Sequence, residues 1–191
     1  MKGTGLMIAV VAVLASAPAS GQAPPPPAAT ATATSPRKQF GADADVAVPV
    51  GGFSDGVGVG LGALLRYETV RWSRVSLTGR AGFIYHLPKS KEVQGSSIDM
   101  TFRTIPILFG IKVRLNDNIY LAAEIGLCLN HAGASAGGAP ELSDDTTDWG
   151  ATVGAGYRRG ALDGRLGLRI VDLANAGKTT AVGASVGYSF W

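Results

Sequence analysis

From Phe40 onward apolar residues recur at every second position, the period of a β-strand and not of a helix. In Phe40 to Val50, Ala42, Ala44, Val46 and Val48 share one face, and Asp43 and Asp45 lie on the other. Val57 to Glu68 sets Val57, Val59, Leu61, Ala63, Leu65 and Tyr67 against Gly58, Gly60, Gly62, Arg66 and Glu68. Val75 to His86 sets Val75, Leu77, Ala81, Phe83 and Tyr85 against Ser76, Thr78, Arg80 and Gly82. In a fourth segment Ile105, Ile107, Phe109, Ile111 and Val113 oppose Gly110, Lys112 and Arg114. The alternation continues through Ile119 to Asn130, Thr147 to Arg158, Leu162 to Val171 and Thr180 to Trp191. Such segments are close to the roughly 9 to 11 residues with which a tilted strand crosses a bilayer.

The apolar face carries no charge. The other face is chiefly Gly, with Asp43, Asp45, Glu68, Glu124, Asp148 and Asp163 against Arg66, Arg80, Lys112, Arg114, Arg158, Arg165 and Arg169. Leu64, Ile84 and Leu108 are apolar exceptions on it. A soluble lipocalin-like barrel would also have one apolar face, turned inward, but its outer face would be rich in Lys, Glu and Thr. Small residues with nearly balanced charge suit a narrow, filled lumen instead. The pattern therefore predicts an all-β fold, an eight-stranded antiparallel up-and-down transmembrane β-barrel. Its lumen charge network would comprise Arg66, Arg80, Lys112, Arg114, Glu124, Asp163, Arg165 and Arg169, with Glu124 near the centre among Arg80, Lys112, Arg165 and Arg169. Pro49 and Pro106 fall inside strands, where each removes a ladder donor, so a bulge or a local break is expected at both.

The connections Thr69 to Arg74, Leu115 to Asn118 and Arg159 to Ala161 are short, whereas Leu87 to Thr104 and His131 to Thr146 read as long loops. Short periplasmic turns and longer outer loops are the arrangement of outer-membrane barrels, and both termini then fall on the periplasmic side. The Trp and Tyr residues lie near strand ends or in a turn: Tyr67, Trp72, Tyr120, Tyr157, Tyr188 and Trp191 toward the periplasm, Tyr85 and Trp149 toward the outside. Tyr67, Tyr85, Trp149, Tyr157 and Tyr188 are the expected aromatic girdle.

Residues 1–21 carry Lys2, an apolar block from Leu6 to Ala15 and a small-residue end, which reads as a secretory signal peptide. Residues 22–39, with Pro24 to Pro27 and Ala/Thr alternation, read as an extended periplasmic linker, leaving 40–191 for the barrel domain. Charged residues make up 16% of the 191-residue chain, below the usual share of about 25%, which excludes charge-driven disorder. Beyond the leader no window holds the roughly 18 uninterrupted apolar residues of a spanning helix. The net charge of +3, with no basic helix or nucleic-acid motif, gives no support to nucleic-acid binding.

The leader, the strand pattern, the Arg103-Thr104-Ile105-Pro106-Ile107-Leu108 opening of the fourth strand, the Gly-Ala-Gly-Tyr run at 154 to 157 and the closing Val186-Gly187-Tyr188-Ser189-Phe190-Trp191 together resemble the small outer-membrane β-barrel family of the OmpA/OmpX type. The resemblance covers about four fifths of the chain. It implies location in the outer membrane of a Gram-negative-type cell, contact with outer-membrane lipid, and a C-terminal signal at Tyr188, Phe190 and Trp191 read by the barrel-assembly machinery. The family usually ends on a lipid-facing aromatic, whereas here that parity belongs to Phe190, with Trp191 one residue beyond.

Cys128, the lone cysteine, falls on the lumen face and reads as a packed thiol. His86 and His131 both fall at the outer end, where outer-membrane lipid-modifying enzymes keep their catalytic groups. Lipid A deacylases of this barrel type resemble a Phe-x-His-x-Ser pattern with a Glu, which the surroundings of His86 do not match. Glu141, Asp144, Asp145 and Asp148 match no EF-hand spacing and read as a solvated acidic loop, with no metal or cofactor assigned. Gly58-x-Gly60-x-Gly62 opens no helix and is no nucleotide loop. The expected function is that of a non-enzymatic, structural envelope protein presenting its outer loops for adhesion or contact with a surface ligand of unknown identity. The alternatives are a small-solute, porin-like pore, a soluble periplasmic ligand carrier of the lipocalin kind and a lipid-modifying enzyme.

Overall fold

A computed structural model describes residues 38–70, 72–93, 96–136 and 142–190. The expected signal peptide, the linker up to residue 37 and Trp191 lie outside the described residues. Lys38 and Gln39, read from sequence as linker, already belong to the first strand.

Eight strands follow one another: β1 (Lys38–Pro49), β2 (Gly60–Val70), β3 (Val75–Val93), β4 (Ser96–Arg114), β5 (Ile119–Ala136), β6 (Leu142–Arg159), β7 (Leu162–Ile170) and β8 (Thr180–Ser189). Each pairs antiparallel with its chain neighbours and β8 pairs with β1, so the sheet closes into a barrel without an edge. The period-two pattern sorts the faces. Leu65, Phe109 and Val186 on the outer wall are 69%, 64% and 66% exposed, whereas Glu124 on the inner wall is 4% exposed. Leu64, Ile84 and Leu108 follow the inward parity and are buried inside, filling lumen space where no charge sits.

Two connections differ from expectation. Residues 87–93, 96–104, 131–136 and 142–146 are strand rather than loop: β3 and β4 run on as a ladder to Val93↔Ser96, and β5 and β6 to Ala134↔Leu142. β3 and β4 have 19 residues each and β5 and β6 have 18, against 9 in β7. At about 3.3 Å per residue the longer strands continue far past the roughly 9 to 11 residues a bilayer needs. Half of the barrel wall thus rises as a four-stranded sheet beyond the rest. The second strand begins at Gly60 rather than Val57, because Gly51–Asp55 forms a 3-10 turn over the barrel mouth. Val57, expected on the outward face, packs instead against the buried cluster of Ala47, Phe53, Cys128, Val171 and Ala181.

The two prolines are accommodated separately. Pro49 ends β1, where no further ladder is needed. Pro106 stays in register with Cys128 of β5, while on its other side the β3–β4 ladder is interrupted between Ala81↔Ile107 and Ile84↔Thr104. The short turns have local causes. Asn116 Oδ1 accepts from the amides of Asn118 and Ile119 at 3.0 and 2.7 Å, and Gly160 turns β6 into β7 with φ of 62°.

Candidate functional site: the lumen and the long-hairpin rim

The inward parity places ionised side chains from seven strands in one narrow space, where each must find a partner to offset its lost hydration. Toward the short-turn end, Lys112 Nζ lies 2.9 Å from Glu68 Oε2 and 3.3 Å from Asp163 Oδ2. Arg158 donates to the same two carboxylates at 2.8 and 2.9 Å. Arg66 Nη1 reaches Asp163 at 2.7 Å, and its Nε lies 3.4 Å from Asp43 Oδ1, an ion pair without a hydrogen bond. Tyr120, near the periplasmic end of its strand, is 3% exposed inside the barrel. Its hydroxyl donates to Asp163, and Lys112 Nζ sits 4.1 Å from its ring centre. Gly156 makes room for that ring, since a Cβ there would stand 2.1 Å from Tyr120 Cζ.

Farther along, Glu124 accepts from Arg165 Nη1 at 2.8 Å, Thr152 Oγ1 at 2.8 Å and Thr78 Oγ1 at 3.1 Å, with Arg80 Nη1 at 3.7 Å. Arg80 also donates to Asp43 Oδ2 at 3.1 Å. Arg169 grips Asp45 in a two-bond fork at 2.8 and 3.0 Å. Of the eight residues expected in the network, seven meet carboxylate or arginine partners inside the barrel. Arg114 does not: it donates to the Ser73 carbonyl at 2.9 Å in the β2–β3 turn. Glu124 meets Arg80 and Arg165, but Lys112 pairs with Glu68 and Asp163 and Arg169 with Asp45, so two of its four expected neighbours sit elsewhere. Asp43, Asp45, Glu68 and Arg158 were visible as inward charges; Tyr120, Thr78 and Thr152 join them through the same parity.

Above the arginines the lumen turns apolar. Phe53, His86 and Phe102 form a triangle of edge-on rings with centroids 5.4 to 5.7 Å apart. His86 is tied to the Gly58 carbonyl at 2.9 Å through Nδ1, and Cys128 is buried in the same layer.

On the outer surface, Tyr85, Arg103, His131 and Asp145 stand in register across β3 to β6. His131 Nδ1 lies 2.6 Å from Asp145 Oδ1. Two residues on along the same face is Gly133, where the deacylase pattern has serine. The acidic residues of this stretch separate: Asp145 pairs with His131, Asp148 accepts from Asn130 and Thr146, and Glu141 lies outside the described residues. Tyr85, Trp149, Tyr157 and Tyr188 point outward and are 40 to 60% exposed, and Tyr67 packs on Phe40 with ring centroids 4.9 Å apart. Tyr188 and Phe190 also stack outward, 5.9 Å apart.

Over the span that all eight strands share, a closed sheet with an apolar exterior and a paired, polar interior satisfies the backbone internally, the condition for crossing a membrane with strands. The chain belongs to the outer membrane protein beta-barrel domain family, whose model matches residues 6–190. It is a small β-barrel protein of the bacterial outer membrane, embedded in lipid. Solved structures with the same fold include Ail, the attachment invasion locus protein of Yersinia pestis, in complex with the heparin analogue sucrose octasulfate, at 13% identity and a TM-score of 0.57, covering 82% of this chain and all of that one. A second structure of Yersinia pestis Ail is 16% identical with a TM-score of 0.51, covering 80% of this chain and 96% of that one. Neisserial surface protein A is also similar, at 14% identity and a TM-score of 0.45, covering 80% of this chain and 96% of its own. At such identities the likeness is one of fold. No curated protein matches the sequence.

Proposed function

We propose that this protein acts as a non-enzymatic adhesion or ligand-contact component of the envelope, with the barrel as anchor and the raised β3–β6 sheet as the contact surface. The observation that carries this reading is an open sheet edge. Strand β6 pairs with β5 from Leu142 down, but its ladder with β7 starts only at Ala151↔Ile170. Among the described residues the outer part of β6, Leu142 to Trp149, therefore has no strand partner on one side, where an extended segment of a surface partner can add as a further strand. Asp144 and Asp145 on that stretch are exposed, which favours a partner segment bearing Lys or Arg and deters edge-to-edge pairing between copies. Ail was crystallised with a sulfated heparin analogue; the acidic β6 edge here suits the opposite charge. The filled lumen supports an anchor over a pore, and the Tyr188–Phe190 end serves as the assembly signal.

The test deletes residues 133–147, which removes most of the open β6 edge, and measures binding of the folded barrel to intact target cells beside the unaltered protein. Loss of binding, with an unchanged difference in gel mobility between boiled and unboiled samples, supports the reading. A deletion that leaves binding untouched removes it.

A further inference from the structure

The open stretch of β6 carries acids that face in opposite directions. Successive residues of a strand point to alternate faces. Asp144 therefore shares with Leu142 the concave face that continues the lumen, and Asp145 shares with Trp149 the convex face that continues the lipid-facing wall. Asp144 is exposed, and the Asp145 side chain is 82% exposed beyond its contact with His131. Asp148, on the concave face, is held by Asn130 and Thr146. Opposite these acids β5 offers His131 and no Lys or Arg, while Lys89, Lys91 and Arg103 of the raised sheet belong to β3 and β4.

On the concave side the edge borders an apolar groove. A cavity of about 370 Å³ is lined by Val57, Met100, Phe102, Ala134 and Leu142, and Asp144 also lines it. Leu142 is 79% exposed there. A compact cation would reach the acid on one face only. An extended segment laid along the edge presents consecutive side chains to opposite faces, so two successive bases meet both aspartates at once. The ladders on either side of β6 are antiparallel. A strand continuing that order places, from its N-terminal side, a base beside Asp145, a base beside Asp144, any residue beside Ser143 and an apolar residue beside Leu142.

We propose that the β6 edge binds an extended segment of a partner protein with the pattern base-base-x-apolar, added as an antiparallel strand, with its bases on Asp145 and Asp144 and its apolar side chain in the groove. This rests on the reading of the raised sheet as the contact surface and specifies the chemistry of its partner.

The experiment titrates the purified full chain in detergent into a labelled synthetic peptide carrying Lys-Lys-Thr-Leu in a Thr-rich frame and follows fluorescence anisotropy. Replacing either lysine by threonine should weaken binding about twofold to fivefold, the worth of one cross-strand ion pair. Replacing the leucine by serine should weaken it about tenfold. N-methylation of the peptide amides that face β6 should abolish binding, because strand addition needs those donors. The first lysine should lose its effect in Asp145→Asn and keep it in Asp144→Asn, and the second lysine the reverse; both substitutions are at exposed positions and leave the folded gel band in place. Lysine effects that ignore the aspartates or couple to the wrong one, a leucine replaced without loss, or full binding by the N-methylated peptide each overturns the proposal. If such a result comes while deletion of residues 133–147 still removes cell binding, the peptide pattern falls and the contact surface stands. If the deletion also leaves cell binding intact, both fall.

Discussion

Replacing Glu124 by glutamine probes the lumen at its most connected carboxylate. Glu124 is 4% exposed and receives hydrogen bonds from Arg165, Thr152 and Thr78, with Arg80 alongside. Glutamine keeps the shape and one carbonyl acceptor but brings two N–H donors into a site already supplied with donors. Breaking a buried ion pair from one side costs about 3 to 5 kcal/mol. The retained carbonyl recovers about 1 kcal/mol as a neutral hydrogen bond. Arg80 keeps Asp43 at 3.1 Å, so the exposed loss falls mainly on Arg165. A net destabilisation of about 2 to 4 kcal/mol follows, and with a urea slope of about 2 kcal/mol/M the midpoint should drop by about 1 to 2 M. Tryptophan fluorescence in detergent micelles reads this directly. Leu127→Ile on the lipid face, 40% exposed, conserves volume and should cost less than about 1 kcal/mol. A Glu124→Gln unfolding free energy within about 0.5 kcal/mol of the unaltered protein, at equal slope, would refute the paired-lumen reasoning.

Gly156→Val would place a Cβ 2.1 Å from Tyr120 Cζ and expel the ring that bonds Asp163, so the faster-migrating folded band on an unboiled gel should be strongly reduced. Cys128 is 2% exposed beneath the Phe53–His86–Phe102 triangle, and a bulky maleimide should label it only at urea concentrations that unfold the barrel. Arg169→Lys trades the two-bond fork to Asp45 for a single point contact and should lower the unfolding free energy by roughly 1 to 2 kcal/mol, read by the same fluorescence transition.

The barrel was legible because lipid outside and packing inside act on alternate residues of every spanning strand, and parity alone then located Arg80, Glu124 and Arg169 in the lumen. The raised parts of β3 to β6 were not legible for the same reason. Past the bilayer, segments such as Ser96 to Arg103 and Ser143 to Thr147 no longer need apolar side chains on one face, so the alternation fades although the ladder continues. The 3-10 turn at Gly51–Asp55 was hidden by Val57 and Val59, whose alternation imitates a strand while Val57 actually seals the mouth. Within the lumen, face is set by parity but partner choice is set by register and reach. Lys112 therefore settled on Glu68 and Asp163 and left Glu124 to the longer arginines. Arg114 has the inward parity yet lies at the strand end, where the turn carbonyl of Ser73 is closer than any carboxylate.

The central claim is that ion pairs fill this barrel and leave the raised sheet as the part that meets other molecules. Single-channel recording of the purified protein in planar bilayers tests it most directly. The account predicts a quiet baseline without steady conductance, since an eight-stranded barrel has room only for its own side chains and these are paired across the lumen. Stable, porin-sized current steps that persist in the unaltered protein would contradict it.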